Sequence, residues 1–179
     1  MQKELPKRKS TRLRGYDYSS VGYYFITICV DLKCEIALGE IINNQSELNE
    51  YGVIVKNEIE NITAIRKECV VKNYVIMPNH IHIIVQIVGD DGNRPADNHR
   101  ADCRNHRADC HPPLRKSIPN MVQGFKGAVT RQIGFSIWQR SYHDRIIRDE
   151  EEYIRIWRYI DENPLNWDND EYCVGGGLG

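Results

Sequence analysis

No run of 18 or more apolar residues occurs in the 179-residue chain, so no segment is expected to span a membrane. The basic stretch from Met1 to Arg14 leads into no apolar core, so it is not expected to act as a signal peptide. Both readings place the protein in the cytoplasm. The cysteines (Cys29, Cys34, Cys69, Cys103, Cys110 and Cys173) lack the spacing of a disulfide framework. In a reducing cytosol they are expected to stay free thiols. A net charge of one sign is also missing: 24 Lys/Arg stand against 25 Asp/Glu. Bulk charge therefore says nothing about a nucleic-acid partner. What is present is a hydrophobic fraction of 41%, enough for the core of one domain.

The charge is unevenly placed. Residues 1–16 hold six Lys/Arg and one Glu, and residues 94–148 hold eleven Lys/Arg and four Asp. Residues 149–179 hold two Arg and nine Asp/Glu. Blocks of this kind can build a basic face that attracts phosphate backbones, or they can be solvated surfaces that cancel in the fold.

Aromatic and β-branched residues from Tyr23 to Val30 predict a strand. Ile36–Ile42 is expected to extend it or pair with it, and Asn43-Asn44-Gln45 to turn. Val53, Val55, Ile59 and Ile62 recur at helical spacing within 48–65. Strands are expected over 69–77 and 81–88, joined by a tight turn at Pro78-Asn79. Ser117 and Pro119 start a second helix. Trp138 to Arg148 reads as an approach followed by a fourth strand. Asp149 then caps a last helix, with Glu150 to Glu152 near its positive end and Pro164 beyond its stop. The expected class is α+β: a ferredoxin-like βαββαβ antiparallel sheet with helices on one face and an additional C-terminal helix. Residues 1–15 form a basic arm, 16–167 the domain and 168–179 a flexible tail.

Residues 89–113 read as a loop insertion. Asn98-His-Arg-Ala-Asp-Cys-Arg is repeated as Asn105-His-Arg-Ala-Asp-Cys-His, a duplication of the sort solvated loops tolerate. Cys103, His106, Cys110 and His111 offer four zinc ligands, but their spacing matches no common finger.

Two residues stand out inside an apolar run. In Met77-Pro-Asn-His-Ile-His-Ile-Ile-Val-Gln, His80 and His82 lie at i and i+2, hence about 7 Å apart on one face of a strand. That spacing suits two ligands of one metal ion or two contacts to one phosphate. A bare His-x-His is more often a pair of surface or capped histidines. On the last helix, Tyr153, Ile156, Trp157 and Ile160 form an apolar stripe at 100° per residue. Tyr159 and Asn163, an i, i+4 pair, flank that stripe, with Glu152 on the same face. Tyr159 taken alone reads more readily as a half-buried packing residue.

Together these segments resemble a known family. Asn73-Tyr-Val-Ile-Met-Pro-Asn-His-Ile-His-Ile-Ile-Val resembles the His-hydrophobic-His (HUH) motif of single-tyrosine transposases. Arg12-Leu-Arg-Gly-Tyr-Asp-Tyr, Phe125-Lys-Gly-Ala-Val-Thr, Trp138-Gln-Arg-Ser-Tyr-His-Asp and Trp157-Arg-Tyr-Ile-Asp-Glu-Asn-Pro resemble further segments of it. The REP-associated tyrosine transposases are the nearest in kind. The resemblance spans most of 12–167, and the duplicated heptad departs from it.

The resemblance implies an enzyme that cuts and rejoins single-stranded, hairpin-containing DNA. Tyr159 is the implied nucleophile. His80, His82 and Asn163 are the implied ligands of a divalent metal, magnesium or manganese, with two imidazoles favouring manganese. Attack on the phosphodiester would leave a 5′-phosphotyrosine and a free 3′-OH. Arg8, Lys9, Arg12 and Arg14 of the arm, with Arg140, Arg145 and Arg148, are expected to follow the DNA backbone. Tyr16, Tyr18 or Trp138 could stack on unpaired bases or serve the core. Relatives include monomers and dimers that share active sites, so both states are open. The rival readings are a metal-dependent phosphodiesterase acting on RNA or nucleotides and a DNA-hairpin binder that does not cut.

Overall fold

A computed structural model of the chain describes residues 20–88 and 117–170. The basic arm with Arg8, Lys9, Arg12 and Arg14, the duplicated heptad and residues 171–179 lie outside this range.

Strand β1 (Gly22–Cys29) begins the fold. A two-stranded ribbon follows, made of β2 (Gly39–Ile42) and β3 (Gln45–Leu48). Asn43 and Asn44 close it with φ of 51° and 61°. Asparagine tolerates these left-handed angles, which a two-residue hairpin turn requires. Ile36–Ile42 thus departs from expectation, because Gly39–Ile42 pairs only with Gln45–Leu48 and leaves β1 to other partners. Helix α1 (Glu50–Ile65) is capped by Asn49, whose side chain accepts from the Gly52 amide at 3.0 Å. Strands β4 (Cys69–Ile76) and β5 (His80–Ile87) form the expected hairpin. Helix α2 (Ile118–Ile133) has Ser117 at its N-cap position, although the serine hydroxyl makes no capping bond. It ends at Gly134, whose φ of 95° suits a residue without Cβ. Strand β6 (His143–Ile147) and helix α3 (Glu150–Glu162) complete the elements, and Asn163–Asn169 continues as 3₁₀ turns.

The sheet order is β4-β5-β1-β6 with every neighbour antiparallel. With α1 and α2 as the crossovers, the chain follows the βαββαβ order of a split βαβ sheet.

Alternation along the strands creates two cores. Tyr24, Ile26 and Ile28 of β1 join Ile81, Ile83 and Val85 of β5 beneath α1 and α2. Tyr23 and Phe25 of β1 and Ile84 of β5 face the other way, where they meet Ile156, Ile160, Tyr153 and Trp157 of α3. So α3 covers the sheet face opposite α1 and α2. Burial of Ile84, Ile156 and Ile160, each contributing about 2 kcal/mol, holds it there. Val53, expected on the buried side of α1, is exposed, whereas Val55, Ile59 and Ile62 are buried. Trp138 lies in the core against Phe125, with ring centroids 5.7 Å apart, and so is not placed to stack on a base. Among the described residues no helix is long and apolar enough to cross a membrane.

Candidate metal centre and tyrosine

The even-numbered residues of β5 face α3, and this puts the two histidines beneath that helix. His80 and His82 are fully buried, with Nε2 atoms 3.0 Å apart. Their other ring nitrogens are held from behind. His80 Nδ1 lies 2.8 Å from Asn79 Oδ1, and His82 Nδ1 lies 2.8 Å from Thr27 Oγ1. An amide oxygen can only accept, so His80 donates from Nδ1 and turns the lone pair of Nε2 inward. Phe25 stacks on His82 at 5.1 Å, and Trp167 stacks on His80 at 6.2 Å.

Burial lowers the pKa of His80 to about 4, against the opposing pull of the Asp170 carboxylate and the Asn163 side chain. Burial, and then the charge of His80, pushes His82 well below the ordinary imidazole value. Both rings are therefore neutral at pH 7, the form in which imidazole binds a metal.

Two oxygen-bearing side chains close the pocket. Asn163 caps α3 with helical backbone angles, and it donates from Nδ2 to Asp170 Oδ2 at 2.7 Å. Asp170 Oδ2 stands 4.0 Å from His80 Nε2. His80, His82 and Asp170 form a group able to hold a metal ion, since their ligand atoms lie within 4.8 Å of one another. Asn163 Oδ1 is buried and has no hydrogen bond of good geometry. With Nδ2 committed to the carboxylate, the amide oxygen is the atom left to accept. A buried acceptor without a donor, beside two neutral imidazoles and a carboxylate, fits a divalent cation.

Asp170 escaped the sequence reading, which assigned it to a loose tail. The 3₁₀ turns after Pro164 fold that segment back and bury the carboxylate by His80. Thr27 and Asn79 were also missed. Nothing local marks Thr27, whose role follows from its register opposite His82.

Tyr159 reaches the same centre from α3. Its hydroxyl lies 3.3 Å from His82 Nε2, and the residue keeps 39% exposure. It lines a cavity of about 480 Å³ together with Phe25, Thr27, His82, Arg145 and Asn163. Three other described tyrosines near these segments have different surroundings. Tyr142 and Tyr74 belong to the core under α1 and α2, and Tyr74 donates to Glu60. Tyr153 packs on Tyr23 and Trp157.

Of the three arginines expected on DNA within the described range, Arg145 alone lines the cavity, where it pairs with the buried Glu152. Arg140 and Arg148 are exposed but do not line it. Arg155, also on the wall, went unremarked in the sequence although it stands one helical turn before Tyr159.

No family model matches the chain. An uncharacterized protein of Haemophilus influenzae is 37% identical over 177 residues, covering 93% of each chain. The structure of a REP-associated tyrosine transposase bound to a REP hairpin aligns with TM-score 0.57 and 18% identity, over 88% of this chain and 74% of that one. The α+β architecture described above is therefore the fold of a tyrosine transposase. By sequence, the chain belongs to the same family as the Haemophilus influenzae protein.

Proposed function

We propose that this protein is a single-tyrosine DNA transposase of the HUH kind, which cuts and rejoins single-stranded, hairpin-containing DNA through Tyr159. The observation that carries this reading is the approach of the Tyr159 hydroxyl to His82 in an open cavity, over a buried pair of neutral histidines. A REP hairpin is the ligand of the structurally similar transposase, and we extend that class of DNA to this chain.

In this reading His80, His82 and Asn163 hold magnesium or manganese, with Asp170 beside them. A cation held there would supply charge stabilisation to the phosphoryl group and favour ionisation of a phenol whose ordinary pKa is about 10. Asn79 and Thr27 keep the imidazoles in the ligating orientation. Helix α3, clamped by Ile156 and Ile160, aims the phenol.

The Tyr159 oxygen forms a bond to phosphorus as the bond from phosphorus to the 3′-oxygen breaks. The phenol loses a proton and the leaving oxygen gains one. One phosphodiester is exchanged for another, so a second 3′-OH can reverse the step and join strands. All named groups come from one chain, so a monomer can hold a complete site.

A library of hairpin-bearing single-stranded oligonucleotides with random flanks, incubated with manganese, tests this. Denaturing gels should show a covalent adduct with the native protein and with Tyr142→Phe, and none with Tyr159→Phe. Metal-dependent cleavage of RNA or nucleotides that survives Tyr159→Phe would favour a phosphodiesterase. Hairpin binding without cleavage would favour a passive binder.

A further inference from the structure

Arg155, Tyr159 and Asn163 are spaced i, i+4 and i+8 on α3 and its helical cap, so they form one ridge along the same cavity. The ridge thus presents a guanidinium, then a phenol, then an amide at the metal end. Resting on the function just proposed, we propose that Arg155 binds a non-bridging oxygen of the scissile phosphate from the side opposite the metal group.

Charge bookkeeping in the cavity singles it out. Three charged side chains line the wall: Arg145, Arg155 and Asp170. Arg145 is neutralised by Glu152, a buried carboxylate whose second oxygen accepts from the Arg148 amide at 3.0 Å. Asp170 is anionic and lies at the histidines. Arg155 is exposed and makes no ion pair or hydrogen bond among the described residues, so it is the uncompensated cation on that wall. An anionic phosphodiester entering the cavity meets Asp170 at one end, and a free guanidinium at the other offsets that repulsion. A planar fork of N–H donors is also the group that matches phosphate oxygens best. Attack by a phenolate adds negative charge at phosphorus, so a fixed cation there favours the transition state over the bound substrate.

The test uses an oligonucleotide that forms the Tyr159 adduct, made with a normal phosphodiester or with an uncharged methylphosphonate at the scissile position. On the phosphodiester, Arg155→Ala should slow adduct formation by about 10²-fold, the usual effect of removing one transition-state donor. Arg155→Lys should recover part of that rate. Melting temperature and manganese affinity should not change, because the side chain is exposed and is not one of the metal ligands. On the scissile methylphosphonate, native protein and Arg155→Ala should differ by no more than about 3-fold, since the charge that Arg155 meets is gone. An equal loss on both substrates, or no loss on either, overturns the proposal. So does levelling that appears only when the methylphosphonate is moved to a neighbouring position. If the native protein forms no adduct with any oligonucleotide, the transposase reading itself fails, an outcome distinct from a normal native rate that Arg155→Ala leaves unaltered.

Discussion

Thr27 on β1 and His82 on β5 are register partners across the antiparallel pair, and the Thr27 hydroxyl reaches His82 Nδ1 at 2.8 Å. The threonine is buried and meets the ring at Nδ1, whereas the Tyr159 hydroxyl meets it at Nε2. Valine preserves the β-branched shape at this position but removes the hydroxyl. Thr27→Val should cost about 1 kcal/mol of stability. It should also lower manganese affinity about 10- to 100-fold, the usual effect of losing a partner that orients a ligating histidine. Calorimetric titration with manganese reads this directly, and an unchanged affinity would remove Thr27 from the support of the site.

Metal binding should stabilise the folded protein, because the unfolded chain holds no preformed site. Manganese at about 100 times its dissociation constant should add roughly 3 kcal/mol, seen as a raised melting temperature. His80→Ala should abolish that increment, and excess chelator should abolish the Tyr159 adduct. Full adduct formation in chelator would defeat the metal assignment.

Asn163 and Asp170 should separate in their effects. Asn163→Ala removes the amide oxygen and should weaken manganese binding more than Asp170→Asn, which loses the carboxylate that accepts from Asn163 Nδ2. The reverse order would make the carboxylate of Asp170 the ligand.

Acid should destabilise the metal-free protein by way of the buried histidines. His80 has a folded pKa of about 4, below its ordinary value of 6.5, and His82 is depressed as well. Between those values the unfolded chain binds more protons than the folded one, so stability falls as pH drops from about 6.5 toward 4. The contribution from His80 is on the order of 3 kcal/mol. Urea titrations at pH 7 and pH 5 should read about 2 kcal/mol of it, and His80→Ala should flatten the dependence. A native protein equally stable at both pH values would contradict the neutral, buried state of the rings.

The ordered hairpin of β4 and β5, the cap at Asp149 and the stripe of Ile156 and Ile160 were legible in the chain because each depends on neighbours a few residues away. Asp149 does cap α3, accepting from the Glu152 amide at 2.8 Å. The i, i+2 spacing put His80 and His82 on one face for the same covalent reason: successive Cβ atoms on a strand point to opposite sides. Val53 shows where periodicity fails, since helical spacing defines a face but not its width under the partner element. Ile36–Ile42 has strand character, yet the choice between β1 and β3 as partner depended on a two-residue turn at Asn43-Asn44.

The site divides along the same line. By itself the sequence determined the two imidazoles on one strand face and the ridge that carries Tyr159 and Asn163, because strand and helix periods are properties of the local backbone. Only the tertiary structure decided that α3 lies on the face opposite α1 and α2. It also put Thr27 behind His82 through a register pairing 55 residues distant, and brought Asp170 from an acidic tail to within 4.0 Å of His80. The placement of α3 arises from burial of Ile84, Ile156 and Ile160 between sheet and helix. Burial of that kind depends on surfaces that meet only after the chain has folded.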